Sequence, residues 1–202
     1  MASAECDYPP HKEKGIAYSI KAGGKNPVWQ EIMDYSWKLQ TYYNHLDTSE
    51  EDKQSILNFL FGHVGNGVLV KPGITFDLGP NIYMEDNCFL NFRVTILDWV
   101  PIYIGEGTMI GPNTNIYTVW HPYSPIDRLD YVLASNPMRI GKRVWLSGNV
   151  TLVGGITIGD YSIIGAGSII TKDIPSGVVV GGVNKIIREL KPEELEYHCE
   201  IP

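Results

Sequence analysis

At 202 residues, 44% of them hydrophobic, the chain has room for one domain with a substantial core. Its formal charge of −7 is the wrong sign for an ordinary nucleic-acid binder. Cys6, Cys88 and Cys199 lack metal-ligand spacing and read as reduced thiols; with no signal peptide and no bilayer-length apolar run, a cytoplasmic protein without metal or membrane partner is expected.

Residues 1–25 are polar, with Pro9, Pro10, Gly23 and Gly24, and read as an arm lying on the surface or on a neighbouring subunit. A helix is predicted from Asn26 to Leu46, with Asn26 as cap, Pro27 in the first turn and Glu31 favouring the dipole. Val28, Ile32, Trp37, Leu39 and Tyr43 give it an imperfect apolar face. A second helix follows from Asp47, with acids in its first turn, Ile56, Leu57, Leu60 and Phe61 packing inward, and Gly62 or Gly65 ending it.

From Val68 onward the period changes. Val68 and Ile74 stand six apart, then Met84, Leu90 and Ile96, then Ile104, Ile110 and Ile116. Between Ile96 and Ile104 the register slips by two, at residues 97–101. The spacing of six then runs unbroken through Ile140, Leu146, Leu152, Ile158, Ile164 and Ile170. Four places after each comes a small or β-branched residue: Val144, Val150, Ile156, Ser162, Ser168 and Ile174. Neither a helix nor a lone strand has this period. A chain climbing a three-sided prism does, with one aliphatic side chain per hexapeptide turned inward and three hexapeptides to a coil. Gly141, Gly159 and Gly165 follow inward residues, where a tight corner is expected to need positive φ. The domains are therefore expected as an arm and helical pair over 1–65, a parallel β-helix over 66–190 and a tail over 191–202. Residues 117–139 lack the repeat and read as a loop extruded from one corner, a common place for function.

His121 lies in that loop beside Pro122, where a neutral imidazole is placed to take a proton; the plain alternative is a solvated loop histidine. Asp127 and Asp130 are candidates to orient the ring, or simply solvated carboxylates. His11, His45, His63 and His198 have no comparable setting, and no nucleophile elbow, Walker loop or dinucleotide fingerprint occurs.

Several stretches together carry a family resemblance: Asn91-Phe92 ahead of TILD, His121-Pro122, IGKRVWLSGNV, GITIGD, IGAGSIITKDIP and IIRE. Over roughly residues 60–190 the chain resembles the galactoside/maltose branch of the hexapeptide-repeat O-acetyltransferases. The resemblance implies a left-handed parallel β-helix that forms a homotrimer, with acetyl-CoA lying in the groove between neighbouring prisms. It implies that His121 is the general base and that Asn91 helps hold the acceptor. It implies a cofactor site at Gly148, Ala166, Thr171, Lys172, Lys185 and Arg188, the last two meeting phosphates. Backbone N–H groups near Ser147-Gly148 are candidates for the oxyanion.

The departures share a direction. Where the family has an acid in the arm this chain has Gly23-Gly24-Lys25, and its G-x-P-x-K/R turn is GVNK without the proline. Phe89, Trp120, Val132 and Leu133, with Trp99 nearby, replace polar or small residues around the expected acceptor site. A sugar's hydroxyls need polar partners, whereas aromatic walls suit a flatter, less polar ligand. The expected reaction is thus O-acetylation of a relatively apolar small molecule, of the kind found in secondary metabolism. A second reading keeps the fold and His121 but dispenses with CoA, for a cyclase, isomerase or dehydratase. A third, a non-catalytic scaffold, sits badly with the retained His121 and Asn91.

Overall fold

The structure, a computed structural model, describes residues 18–20, 27–129 and 132–195. Strand β1 (Tyr18–Ile20) precedes helices α1 (Pro27–Tyr43) and α2 (Glu50–Leu60). The prism follows. Its first coil is β2 (His63–Val64), β3 (Leu69–Val70) and β4 (Thr75–Phe76), opening slightly before the expected start at Val68. The second is β5 (Ile82–Met84), β6 (Phe89–Leu90) and β7 (Thr95–Leu97); the third is β8 (Ile102–Ile104), β9 (Met109–Ile110) and β10 (Asn115–Tyr117). An excursion carries β11 (Val119–Trp120), α3 (Pro125–Leu129) and β12 (Leu133–Ser135). The fourth coil is β13 (Met138–Ile140), β14 (Trp145–Leu146) and β15 (Thr151–Val153), and the fifth is β16 (Thr157–Ile158), β17 (Ile163–Ile164) and β18 (Ile169–Ile170). A partial sixth ends in β19 (Val178–Gly181), which folds back as β20 (Lys185–Glu189) before α4 (Pro192–Leu195).

The strands sort into three parallel stacks, giving a left-handed β-helix of about 6 turns. Face 1 holds β2, β5, β8, β13 and β16; face 2 holds β3, β6, β9, β14, β17 and β19, with β20 antiparallel at its end; face 3 holds β4, β7, β10, β15 and β18. The inward hexad residues from Met84 to Ile170 are all at most 2% exposed, and Val144, Val150, Ser162 and Ser168 fill the second inward position. Each such aliphatic contributes roughly 1.5–3 kcal/mol by leaving water.

Three expectations change. Gly141, Gly159 and Gly165 do not adopt positive φ; the left-handed residue falls two places later, at Arg143, Tyr161 and Gly167 (φ 50°, 63° and 70°). What Gly141 provides is room, since a Cβ there would lie 2.3 Å from Asp160 Oδ1 in the coil above. Helix α1 turns inward Ile32, Leu39 and Tyr43 of the expected face, but not Trp37, and adds polar residues to it. Trp37 is 46% exposed, while Met33, Ser36, Gln40 and Tyr43 are buried. Ser36 Oγ donates to Leu78 O, Gln40 Nε2 to Phe76 O and Tyr43 Oη to Val70 O, so the helix satisfies the first coil's backbone with polar side chains. The packing of Ile56, Leu57, Leu60 and Phe61 is as expected, but α2 ends on Phe61 in extended conformation rather than on a glycine. Asn26, Gly23, Gly24, Lys25, Asp130, Cys6, Cys199, His11 and His198 lie outside the described residues. Among the described residues no helix is long and apolar enough to cross a membrane.

The register slip has a cause. Asp98 is fully buried, and its carboxylate accepts from the N–H groups of Asp77 (3.1 Å), Leu78 (2.9 Å) and Gly79 (2.6 Å) in the coil below. Burial pushes this carboxyl up from 3.8 to about 7, against the pull of the N–H donors. A folded-state value raised above the unfolded one means this group's contribution to stability is fullest below pH 4 and declines as pH rises towards 7, by at most about 1.4 kcal/mol per unit. Asp98→Asn sets an amide N–H₂ against those donors. It is expected to cost about 2 kcal/mol and to flatten the pH 4–7 slope in thermal melts; an unchanged slope would remove Asp98 as its source.

Candidate active site

The edge between faces 2 and 3 carries Asn91 on the second coil, Gly148 on the fourth and Ala166 on the fifth. A backbone ladder runs along it: Arg93 N donates to Pro72 O, Asn113 N to Phe92 O, Asn149 N to Pro112 O and Gly167 N to Gly148 O, at 2.9–3.3 Å. Asn91 Oδ1 accepts from Phe92 N at 2.8 Å, which leaves its Nδ2 without a partner among the described residues. The N–H groups of Gly148 and Ala166 likewise make no hydrogen bond there, whereas Ser147 N is spent on Ile164 O. Of the two residues considered for an oxyanion, only Gly148 retains a donor.

His121 belongs to a different edge. The excursion leaves the prism between faces 3 and 1, where buried Thr118 Oγ1 donates to Leu97 O at 2.6 Å. β11 then pairs antiparallel with β12, Val119 opposite Ser135 and Trp120 opposite Ala134, and β1 adds a third strand with Tyr18 opposite Ser135. What the sequence shows only as a loop is thus a short sheet, closed by a strand from the N-terminal arm. His121 follows β11 directly, is exposed, and has no hydrogen-bond or ion-pair partner among the described residues. Asp127 is exposed, has no hydrogen bond to His121, and its N–H donates to Ser124 Oγ.

The five apolar residues expected around the acceptor divide into two groups. Trp99 (8% exposed) packs with Met33 and Leu78, and Leu133 packs against that cluster; Val132 is 9% exposed. Trp99 and Leu133 thus meet α1 where the excursion joins the prism, and Val132 beside Leu133 is buried. Trp120 and Phe89 are half-buried and keep accessible surface.

The remaining cofactor candidates sit near the last coils. Thr171 and Lys172 occupy the same edge as the excursion, two coils further on. Asn184, in the turn that lacks the family's proline, accepts from Thr171 N and donates to Thr171 Oγ1, both at 2.9 Å, so a side chain clamps what a proline ring would stiffen. Lys172 and Lys185 are exposed and unpaired among the described residues. Arg188 is not: Glu194 takes both its terminal nitrogens at 2.7 Å, and this pairing holds the Glu194 carboxyl down at about 2. A phosphate at Arg188 would have to displace Glu194.

The prism also carries a second, outward repeat. On face 2 the outward residues in register are Leu69, Phe89, Met109, Trp145, Ile163 and Val179, an apolar column the length of the prism. Leu69, Met109 and Trp145 are 41%, 49% and 46% exposed. Face 1 instead presents His63, Tyr83, Tyr103, Arg139 and Thr157, with Tyr83 stacked on Tyr103 and Arg139 4.4 Å over the Tyr103 ring. The signal was available: each member of the column precedes an inward aliphatic by one residue.

Comparison with known proteins agrees with this architecture. The family model for the bacterial transferase hexapeptide (six repeats) matches residues 137–172. Galactoside O-acetyltransferase of Escherichia coli K12 is 39% identical over 162 residues, covering 79% of this chain and 80% of that protein. The structure of a maltose O-acetyltransferase from Clostridium difficile 630 superposes with a TM-score of 0.82 at 36% identity, covering 87% of this chain and 94% of that one. A galactoside acetyltransferase in complex with coenzyme A gives 0.81 at 35% identity, covering 88% and 90%. The prism, its excursion and these similarities place the chain in the hexapeptide-repeat acyltransferase family, in the galactoside/maltose O-acetyltransferase branch.

Proposed function

We propose that this protein is an acetyl-CoA-dependent O-acetyltransferase whose active site is shared between two copies of the chain. The observation that carries the reading is the division of the site residues between two edges. Asn91, Gly148 and Ala166 lie on one, and His121, Thr171 and Lys172 on another. A face of the prism separates them within one chain, so a site using both takes one edge from each of two neighbours. The apolar column on face 2 adjoins the Asn91 edge and supports burial against a second copy; a closed ring of three satisfies every copy equally.

In that cleft the unpaired N–H groups of Gly148 and Ala166 meet the polar groups of the pantetheine arm or the developing oxyanion. Lys172 and Lys185 supply charge for the phosphates, and Arg188 joins them by exchanging Glu194. The acceptor oxygen attacks the thioester carbonyl while its proton passes to the His121 imidazole. The tetrahedral intermediate collapses with cleavage of the C–S bond, and the imidazolium returns the proton to the departing CoA thiolate.

Acceptor choice follows the half-buried aromatic groups. Phe89 and Trp120 favour an alcohol with an apolar or aromatic body, while Trp99, Val132 and Leu133 act by shaping the loop root. Incubation with acetyl-CoA should raise Tm, and initial rates over an acceptor panel should favour aryl and alkyl alcohols over galactosides and maltose by tenfold or more in kcat/KM. No shift with acetyl-CoA would favour the CoA-independent reading; galactosides or maltose as best acceptors would overturn the acceptor assignment alone.

A further inference from the structure

We propose that Arg128 is a positioning residue for His121, an inference that rests on the acetyl-transfer reading above. The short sheet of the excursion ends at Trp120, so His121 begins a stretch that strand pairing no longer holds. Packing holds little of it beyond half-buried Pro122 and Ser124: Tyr123 is 99% exposed, Ile126 70% and Leu129 78%. Helix α3 is fixed to its own start by Asp127 N on Ser124 Oγ and Arg128 N on Ser124 O, but those bonds stop short of His121. One side chain reaches further back. Arg128 Nη1 donates to the carbonyl oxygens of Pro122 at 3.0 Å and Tyr123 at 2.7 Å.

Those carbonyls belong to the two residues after His121, and the intervening proline makes the contact consequential. The Pro122 ring fixes its own φ near −65° and confines His121 to extended backbone. With little slack left in between, holding the Pro122 and Tyr123 carbonyls sets where the His121 Cα sits and how its side chain leaves the chain. The guanidinium is suited to this because it presents several donors in a rigid plane, and among the described residues it forms no ion pair that would compete. A general base displaced by about 1 Å can cost 10²-fold in rate without altering substrate affinity.

The test is steady-state kinetics of Arg128→Ala and Arg128→Lys beside the parent protein, with acetyl-CoA affinity by calorimetry and Tm by thermal melt. Arg128→Ala is expected to lower kcat by about 10–100-fold, with acetyl-CoA Kd within twofold and Tm within about 2 °C of the parent. Arg128→Lys, whose ammonium can still reach a carbonyl, should recover part of that kcat. If Arg128→Ala keeps kcat within twofold, if its loss appears equally in acetyl-CoA affinity, or if it unfolds and Arg128→Lys remains as inactive as alanine, the proposal fails. A parent protein that transfers no acetyl group sinks the acetyl-transfer reading and the proposal with it, so the two failures are distinguishable.

Discussion

His121→Ala is expected to lower kcat for acetyl transfer by 10²–10⁴-fold while leaving Tm and acetyl-CoA affinity close to those of the parent. The separation of effects follows from the structure. The ring is exposed and makes no hydrogen bond or ion pair among the described residues, so removing it sacrifices no packing and orphans no buried partner. In the proposed reaction its role is confined to proton transfer, first from the acceptor oxygen, since an alcohol that keeps its proton is a poor attacker on a thioester, and then to the departing thiolate. A variant that retained activity within a few-fold would remove His121 from the reaction and return it to the status of a solvated loop residue. A large fall in Tm would show that the imidazole has partners in the assembled protein that a single chain does not display.

The prism was legible because one inward position in six carries the whole signal. Ile140 to Ile170 repeat without interruption, and each is essentially removed from water. Features that do not obey one hydrophobic period were harder to read. Helix α1 looked irregular because its buried face includes Ser36 and Gln40, which hydrogen-bond the first coil's backbone instead of packing on it. The glycines mark the corners for room and not for conformation: Gly141 is small so that Asp160 can approach, and the left-handed turn belongs to Arg143. The slip after Ile96 was visible in the spacing, yet only three-dimensional contact shows Asp98 receiving three N–H groups from another coil.

The site was less legible than the fold for a related reason. Candidates come from distant stretches, and sequence order does not say which prism edge each will occupy. Leu133, picked out as an apolar departure from the family pattern, and Trp99 beside it pack with Met33 and Leu78 at the root of the excursion, which sequence order does not announce. The pairing of β1 with β12 joins the arm to residues more than a hundred positions away, and two- or three-residue strands have too little pattern to announce it. The apolar column on face 2 differs again: it was present in the spacing, one residue ahead of the hexad, but masked by the stronger inward repeat.

The second large effect concerns the sharing of the site, and it is also where the whole account is most exposed. Asn91 and His121 stand on different edges of one prism, so each site is expected to take His121 from one copy and Asn91 from its neighbour. His121→Ala and Asn91→Ala should each be nearly inactive as pure proteins, for different reasons: one lacks the proposed base, the other the amide proposed to hold the acceptor. Co-assembled at equal amounts, the two variants leave both residues native in about a quarter of sites if copies mix at random in a closed ring. The decisive measurement is therefore the acetyl-transfer rate of the mixed assembly compared with each pure variant at the same total concentration. Recovery to about a quarter of the parent rate is the predicted result; a mixture no more active than the mean of the two variants would contradict a site divided between copies.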